Sequence, residues 1–221
     1  MSGAPAIPGT VHVVDDDLAF RKAIGRVLVA AGHVPRLYAS ANEYLSADDS
    51  GGPACVLLDL RMPGFTGLDL QSALSRREDA HPVIFLSAHG DIPTTVRAMQ
   101  AGALDFLTKP VQRVTLLEAI ERALARDVER QQHANRIAEL KRRYDSLTAR
   151  ERQVMAGVIS GQLNKQICYA LRAAERTVKT HRSRVMEKMQ VRSVAELVRL
   201  AEELTSAGVS LVAMPAEEPA R

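Results

Sequence analysis

Four short apolar runs each lead into residues that can handle a charged oxygen. Asp15 and Asp16 follow Thr10–Val14, Asp59 follows Ala54–Leu58, Ser87 follows Val83–Leu86, and Lys109 closes the run that begins at Leu104. Three crowded carboxylates repel one another, so a hard divalent cation is expected to hold them together. Mg²⁺ prefers one or two carboxylates, waters and phosphoryl oxygens. Phosphoryl transfer needs in-line positioning and neutralised charge on the equatorial oxygens. Mg²⁺ and the Lys109 ammonium would supply that neutralisation, and the Ser87 hydroxyl would hydrogen-bond one oxygen. Asp59, the carboxylate most embedded in an apolar run, is the expected nucleophile. No nucleotide-binding glycine motif is present, so the donor is expected to be an external phospho-group. Taken singly, each residue has a plainer reading: the three consecutive aspartates as a solvated loop or helix cap, Lys109 as a surface charge.

The elements that must position these residues alternate between strand and helix. Thr10–Val14, Val34–Tyr38, Ala54–Leu58, Val83–Leu86 and Leu104–Leu107 read as strands, the third and fourth apolar enough for burial on both faces. Helical patterns lie between them: one through Ile24, Val27 and Leu28, one opened by the capping-box spacing Ser40–Glu43, one behind Pro63-Gly64 and Gly67, one over Asp91–Ala101, and one from about Val114. Five such alternations predict a doubly wound parallel sheet. Ligands then bind outside the carboxyl ends of the strands, where the polar residues fall.

Length and charge point to a second domain. The chain has 221 residues, 46% of them hydrophobic and 25% charged, which excludes a wholly disordered chain. Residues 1–118 carry a net charge of −3 and residues 119–221 a net of +6; residues 148–200 alone carry +7. An acidic first half and a basic second half predict different partners, nucleic acid for the second. Two cysteines make no disulfide scaffold and fit a reducing compartment. No signal peptide or membrane-length apolar run is visible, so a soluble, cytoplasmic protein with no membrane partner is expected. Cys55 and Cys168 are expected in cores.

Residues 115–147 contain neither Pro nor Gly and read as one extended helix, with a flexible break at Gln131-Gln132 as the alternative. Beyond it, Thr148–Glu151 has capping-box spacing, Asn164 can cap a short helix over Lys165–Leu171, a longer helix spans Glu175–Met189, and Ser193–Glu196 opens a fourth. Two helices across a tight turn, the second one basic, predict a helix-turn-helix. In Glu175–Met189 the apolar stripe is Val178, Val185 and Met189. Arg176, Thr177, Lys179, Thr180, His181, Arg182, Arg184 and Lys188 lie off it, together with Lys165 from the preceding helix. These are the groups that contact phosphates and base edges in a major groove.

The motifs Val13-Val-Asp-Asp-Asp17, Leu57-Leu-Asp-Leu-Arg-Met-Pro-Gly64, Leu86-Ser-Ala-His-Gly-Asp91 and Ala101-Gly-Ala-Leu-Asp-Phe-Leu-Thr-Lys-Pro110 resemble the receiver domain of bacterial two-component response regulators. Leu147-Thr-Ala-Arg-Glu-Arg-Gln-Val154, Asn164-Lys-Gln-Ile167 and the stretch Arg176–Met189 resemble the LuxR-type helix-turn-helix domain. Together they resemble the FixJ/NarL-type regulators, nearer FixJ in the receiver motifs. The resemblance implies a (βα)5 receiver over residues 9–125, a helical linker over 126–145 and a four-helix DNA-binding domain over 146–208, with tails at 1–8 and 209–221. It implies a transcription regulator rather than an enzyme, with turnover limited to self-phosphorylation from small donors and self-dephosphorylation. It implies a phosphoryl group on Asp59 from a sensor histidine kinase, and Mg²⁺ held by Asp16, Asp59 and the Arg61 carbonyl, with Asp15 acting through water. Ser87 is then the switch hydroxyl, Phe106 the aromatic that changes rotamer, and Lys109 the phosphoryl-binding cation before a cis Pro110. Arg61 and His89 flank the phosphoryl group. Phosphorylation then remodels the surface of the Asp91–Ala101 helix and the fifth strand and favours a homodimer on double-stranded promoter DNA, with RNA polymerase as a further partner. One departure stands out: the family places Ser or a similar cap before the recognition helix, where this chain has Arg172-Ala-Ala-Glu175. Two other readings compete, a receiver that only dimerises and a phosphohydrolase working through an Asp59 phosphoenzyme.

Overall fold

A computed structural model describes residues 8–47, 51–64, 66–74, 80–88 and 92–212. Contacts divide the chain into two compact units, Met1–Gln131 and Gln132–Arg221.

In the first unit β1 (Thr10–Val14), β2 (Val34–Tyr38), β3 (Ala54–Asp59), β4 (Val83–Ser87) and β5 (Asp105–Thr108) form one sheet, ordered β2-β1-β3-β4-β5, with every pair parallel. The intervening helices are α1 (Leu18–Ala30), α2 (Ala41–Leu45), α3 (Gly67–Leu74) and α4 (Ile92–Gln100), and α5 (Arg113–Asp145) follows β5. Strand alternation divides the core. Val11, Val13, Cys55, Leu57, Ile84 and Leu86 face Ile24 and Leu28 of α1 and Leu116, Ile120 and Leu124 of α5. Val14, Val56, Leu58, Val83 and Phe85 face Leu70, Leu74 and Ala98. Burial on both faces is why β3 and β4 read as continuous apolar runs.

The strand order reverses between β1 and β3. That places the carboxyl ends of those two strands, Val14-Asp15 and Asp59, side by side at the crevice where doubly wound sheets bind ligands. Local sequence fixes the entry to α1: Asp17 caps the helix, accepting from the N–H groups of Ala19 at 2.8 Å and Phe20 at 3.2 Å. β1 and β2 run as the sequence predicts. β5 lies one residue later, at Asp105–Thr108, with the Leu104 N–H donating to the Val83 carbonyl at the strand's entrance. Asp91 of the expected fourth helix lies outside the described residues.

The helix α5 runs on through Gln131-Gln132. Asp127 is fully buried in the first unit, and Leu140 and Tyr144 are buried in the core of the second. Residues read as a linker thus contribute to both cores. The second unit adds α6 (Ala149–Ile159), α7 (Asn164–Ala170), α8 (Glu175–Lys188) and α9 (Val194–Ser206). Val154, Met155, Ile167, Val178, Val185, Leu197 and Leu204 form its centre. Thr148 and Glu151 close the expected capping box. Asn164 is the first residue of α7 rather than its cap. The Leu163 N–H donates to Gln166 Oε1 at 2.8 Å, leaving the Asn164 side chain to accept from Arg182 at 3.0 Å.

Candidate functional site

Asp15 and Asp59 are buried, 1% and 8% exposed, while Asp16 is exposed beside them. One oxygen from each of the three carboxylates lies within 4.8 Å of the others. Lys109 Nζ reaches Asp15 Oδ2 at 2.6 Å and Asp59 Oδ1 at 3.3 Å. Burial pushes the Asp59 carboxyl above its ordinary value; Lys109 opposes the rise and Asp15 adds to it. The Arg61 N–H donates to the same carboxylate, and Asp17 N–H donates to Asp15 Oδ1 at 2.8 Å. Three carboxylates against one ammonium leave net negative charge in an all-oxygen donor set. That fits a hard divalent cation held by Asp15, Asp16 and Asp59. Gly67 lets α3 approach: a Cβ there would collide with the Asp59 carbonyl oxygen and the Phe85 ring.

Ser87 is buried at the end of β4, and its carbonyl accepts the Lys109 N–H at 2.8 Å, joining the ends of β4 and β5 just before the cis Lys109–Pro110 bond. Phe106 is half-buried on β5, its ring 6.2 Å from that of Phe85. The Arg61 side chain is exposed, and His89 lies outside the described residues.

In the second unit Lys165, Arg176, Thr177, Lys179, Thr180 and Arg184 are exposed, whereas His181, Arg182 and Lys188 are half-buried. Arg182 is tied to Asn164 of α7, and Lys179 pairs with Glu175 at 2.9 Å on one helix face. Lys188 turns inward: its ammonium donates to Glu151 Oε2 at 2.7 Å and to the Ser146 carbonyl at 3.1 Å. Glu151 is 2% exposed. Burial alone would raise its carboxyl, but Lys188 and the Thr148 N–H and hydroxyl outweigh that and hold it below the ordinary value. The cap position of α8 is Ala174, which makes no side-chain cap bond. The second unit thus carries a basic helix as the second of a helix-turn-helix, and the first unit a parallel sheet with an acidic site at its carboxyl edge.

The family described as "Response regulator receiver domain" matches residues 11–121, and "Bacterial regulatory proteins, luxR family" matches residues 145–201. The response regulator protein TodT of Pseudomonas putida (strain F1) is 41% identical over 194 residues, covering 88% of this chain and 86% of TodT. The chain belongs to the LuxR-type response regulators. The transcriptional regulatory protein FixJ of Rhizobium meliloti is 38% identical over 192 residues, covering 87% of this chain and 94% of FixJ. The solved structure of the response regulator StyR superposes with a TM-score of 0.78 at 44% identity, covering 89% of this chain and all of StyR. The chain is a two-component response regulator with a DNA-binding LuxR-type output domain, in a family of transcription regulators rather than enzymes. A receiver implies a sensor kinase, and the helix-turn-helix implies DNA. Among the described residues no helix is long and apolar enough to cross a membrane.

Sequence reasoning missed three groups in this response regulator. Phe20 lies under the Lys109 ammonium, 4.1 Å from ring centroid to Nζ, and Arg21 donates to the Asp15 carbonyl. Their only signal was their place in the first turn after the Asp17 cap. At the other end of the receiver sheet, Asp127 accepts from the Ala54 N–H at 2.9 Å and from Arg130 and Gln131 at 2.8 Å, and lies 3.4 Å from His81. The His81 ring stacks on His12 at 5.7 Å. No local pattern reveals a contact between residues 46 positions apart.

Proposed function

We propose that this response regulator is switched by phosphorylation of Asp59, and that the phosphorylated form dimerises and binds promoter DNA. The observation that carries the reading is the cluster of Asp15, Asp16, Asp59 and Lys109 at the carboxyl edge of the sheet. An Asp59 carboxylate oxygen attacks the phosphorus of a phosphohistidine on the kinase. A P–O bond forms as the P–N bond breaks, and the imidazole leaves with a proton. Asp15, Asp16, Asp59 and the Arg61 carbonyl would hold Mg²⁺, which when bound neutralises the phosphoryl oxygens. Lys109 supplies the second positive charge, leaving Asp59 for a phosphoryl oxygen. The Ser87 hydroxyl donates to another oxygen, and the Phe106 ring turns into the space that this movement vacates. Arg61 would flank the group and influence its lifetime, a role the family resemblance also gives to the position of His89.

Phosphorylation acts as a population shift between two receiver states. The state that forms a homodimer through α4 and β5 presents two output domains to two half-sites. Lys165, Arg176, Thr177, Lys179, Thr180 and Arg184 face the DNA, with His181 and Arg182 beside them; Lys188 serves the fold of the domain instead. The test uses genomic fragments enriched on the phosphorylated protein. Their affinity rises with phosphodonor in the wild type and stays at the low value in Asp59→Asn. Equal affinity in all four samples would overturn the switch.

A further inference from the structure

The Lys109 ammonium has three directions in which to donate. One N–H meets Asp15 Oδ2 at 2.6 Å, and the head group lies 3.3 Å from Asp59 Oδ1. The head group also lies over the Phe20 ring, its centroid 4.1 Å from Nζ. The lysine side chain is only 17% exposed, so little of it is left to water. Phe20 is itself held firmly. Its N–H donates to the Asp17 cap at 3.2 Å, and its ring packs on the core between α1, α5 and the sheet. The next residue, Arg21, donates to the Asp15 carbonyl. The first turn of α1 therefore holds the backbone of Asp15 and the ammonium of Lys109, the two residues of one ion pair.

An aromatic face attracts a cation without offering a lone pair. A carboxylate in that place would compete with an incoming phosphoryl oxygen for the same N–H. Water there would let the ammonium tilt out of the site. The ring does neither: it holds Nζ over the carboxylates and leaves its hydrogen bonds free to be exchanged. We infer that Phe20 is a positioning residue for phosphoryl transfer, keeping the Lys109 ammonium beside Asp59 through a cation–π contact. This inference rests on Asp59 as the phosphoacceptor.

Two substitutions test it. Phe20→Leu keeps an apolar side chain on the core but removes the π face; Phe20→Tyr keeps the face. The first readout is the Lys109 ε-CH₂ resonance in metal-free protein labelled with ¹³C-lysine, assigned by its loss in Lys109→Arg. The ring shifts this resonance upfield in the wild type and in Phe20→Tyr, and it returns to the ordinary lysine position in Phe20→Leu. The second readout is the rate at which phosphoramidate with Mg²⁺ labels Asp59. Phe20→Leu lowers that rate about fivefold, within the range that a partly desolvated cation–π contact supports, and Phe20→Tyr restores it. A Lys109 resonance that does not move in Phe20→Leu would overturn the contact. A moved resonance with labelling within about twofold of wild type would overturn the positioning role. Wild-type protein that takes no phosphoryl group would overturn the Asp59 reading and the positioning role with it, while the resonance would still decide the contact.

Discussion

Asp59 carries a conflict that its neighbours only partly relieve. It is nearly buried beside a second buried carboxylate, and its carboxyl is held above the ordinary value of 3.8 despite Lys109. A group raised in the folded state adds stability below its unfolded value and loses that contribution as pH rises through the folded one. Asp59→Asn therefore stabilises the receiver at neutral pH in metal-free buffer, and the gain disappears below about 3.8; denaturant titrations at several pH values read it. Mg²⁺ reverses the order, since only the aspartate version offers the full carboxylate set. Lys188 and Arg176, both basic on α8, should part company in the same way. Lys188→Met leaves the buried Glu151 carboxylate without its cation and costs about 2–3 kcal/mol, less than for a fully buried pair because Lys188 is partly exposed. Arg176→Ala leaves stability unchanged, weakens DNA binding and reduces the salt-dependence slope by about 1. That Lys188 turns inward was invisible in the helix sequence, because its partner, Glu151, sits 37 residues away.

At the scale of the element, most of the receiver was legible because its strands are buried on both faces and end at polar residues. β1 and β2 coincide with the apolar runs that predicted them, and the capping boxes at Thr148 and the cap at Ser193 start α6 and α9 where expected. One helix start failed where a side chain had a better long-range partner than a local one. Asn164 is the example: it reads as a cap, but bonds Arg182 across the helix-turn-helix instead. The bare cap of α8 was legible, and Ala174 occupies it with extended backbone and no side-chain acceptor. Ala174→Ser would supply one. It should stabilise the output domain by about 1 kcal/mol, read from its thermal transition. An unchanged transition would show that Glu175 in the first turn already meets the need.

For the whole molecule, the sequence's charge asymmetry corresponds to two separate hydrophobic cores, one around the sheet and one among α6 to α9. What composition did not reveal is that α5 supplies both: Leu116, Ile120, Leu124 and Asp127 to the first, Leu140 and Tyr144 to the second. The polar stretch between them read as linker because its few apolar residues are too widely spaced to mark either core. Two cores predict two calorimetric transitions. Asp59→Asn should move only the receiver's transition, and Lys188→Met only the output domain's. The central claim, that Asp59 is the residue on which the switch is written, has a more direct test: the intact mass of the protein after incubation with Mg²⁺ and a small phosphodonor. A single phosphoryl group is added to the wild type and none to Asp59→Asn. An unlabelled wild type beside a labelled control receiver, or an Asp59→Asn protein that labels equally well, would contradict it.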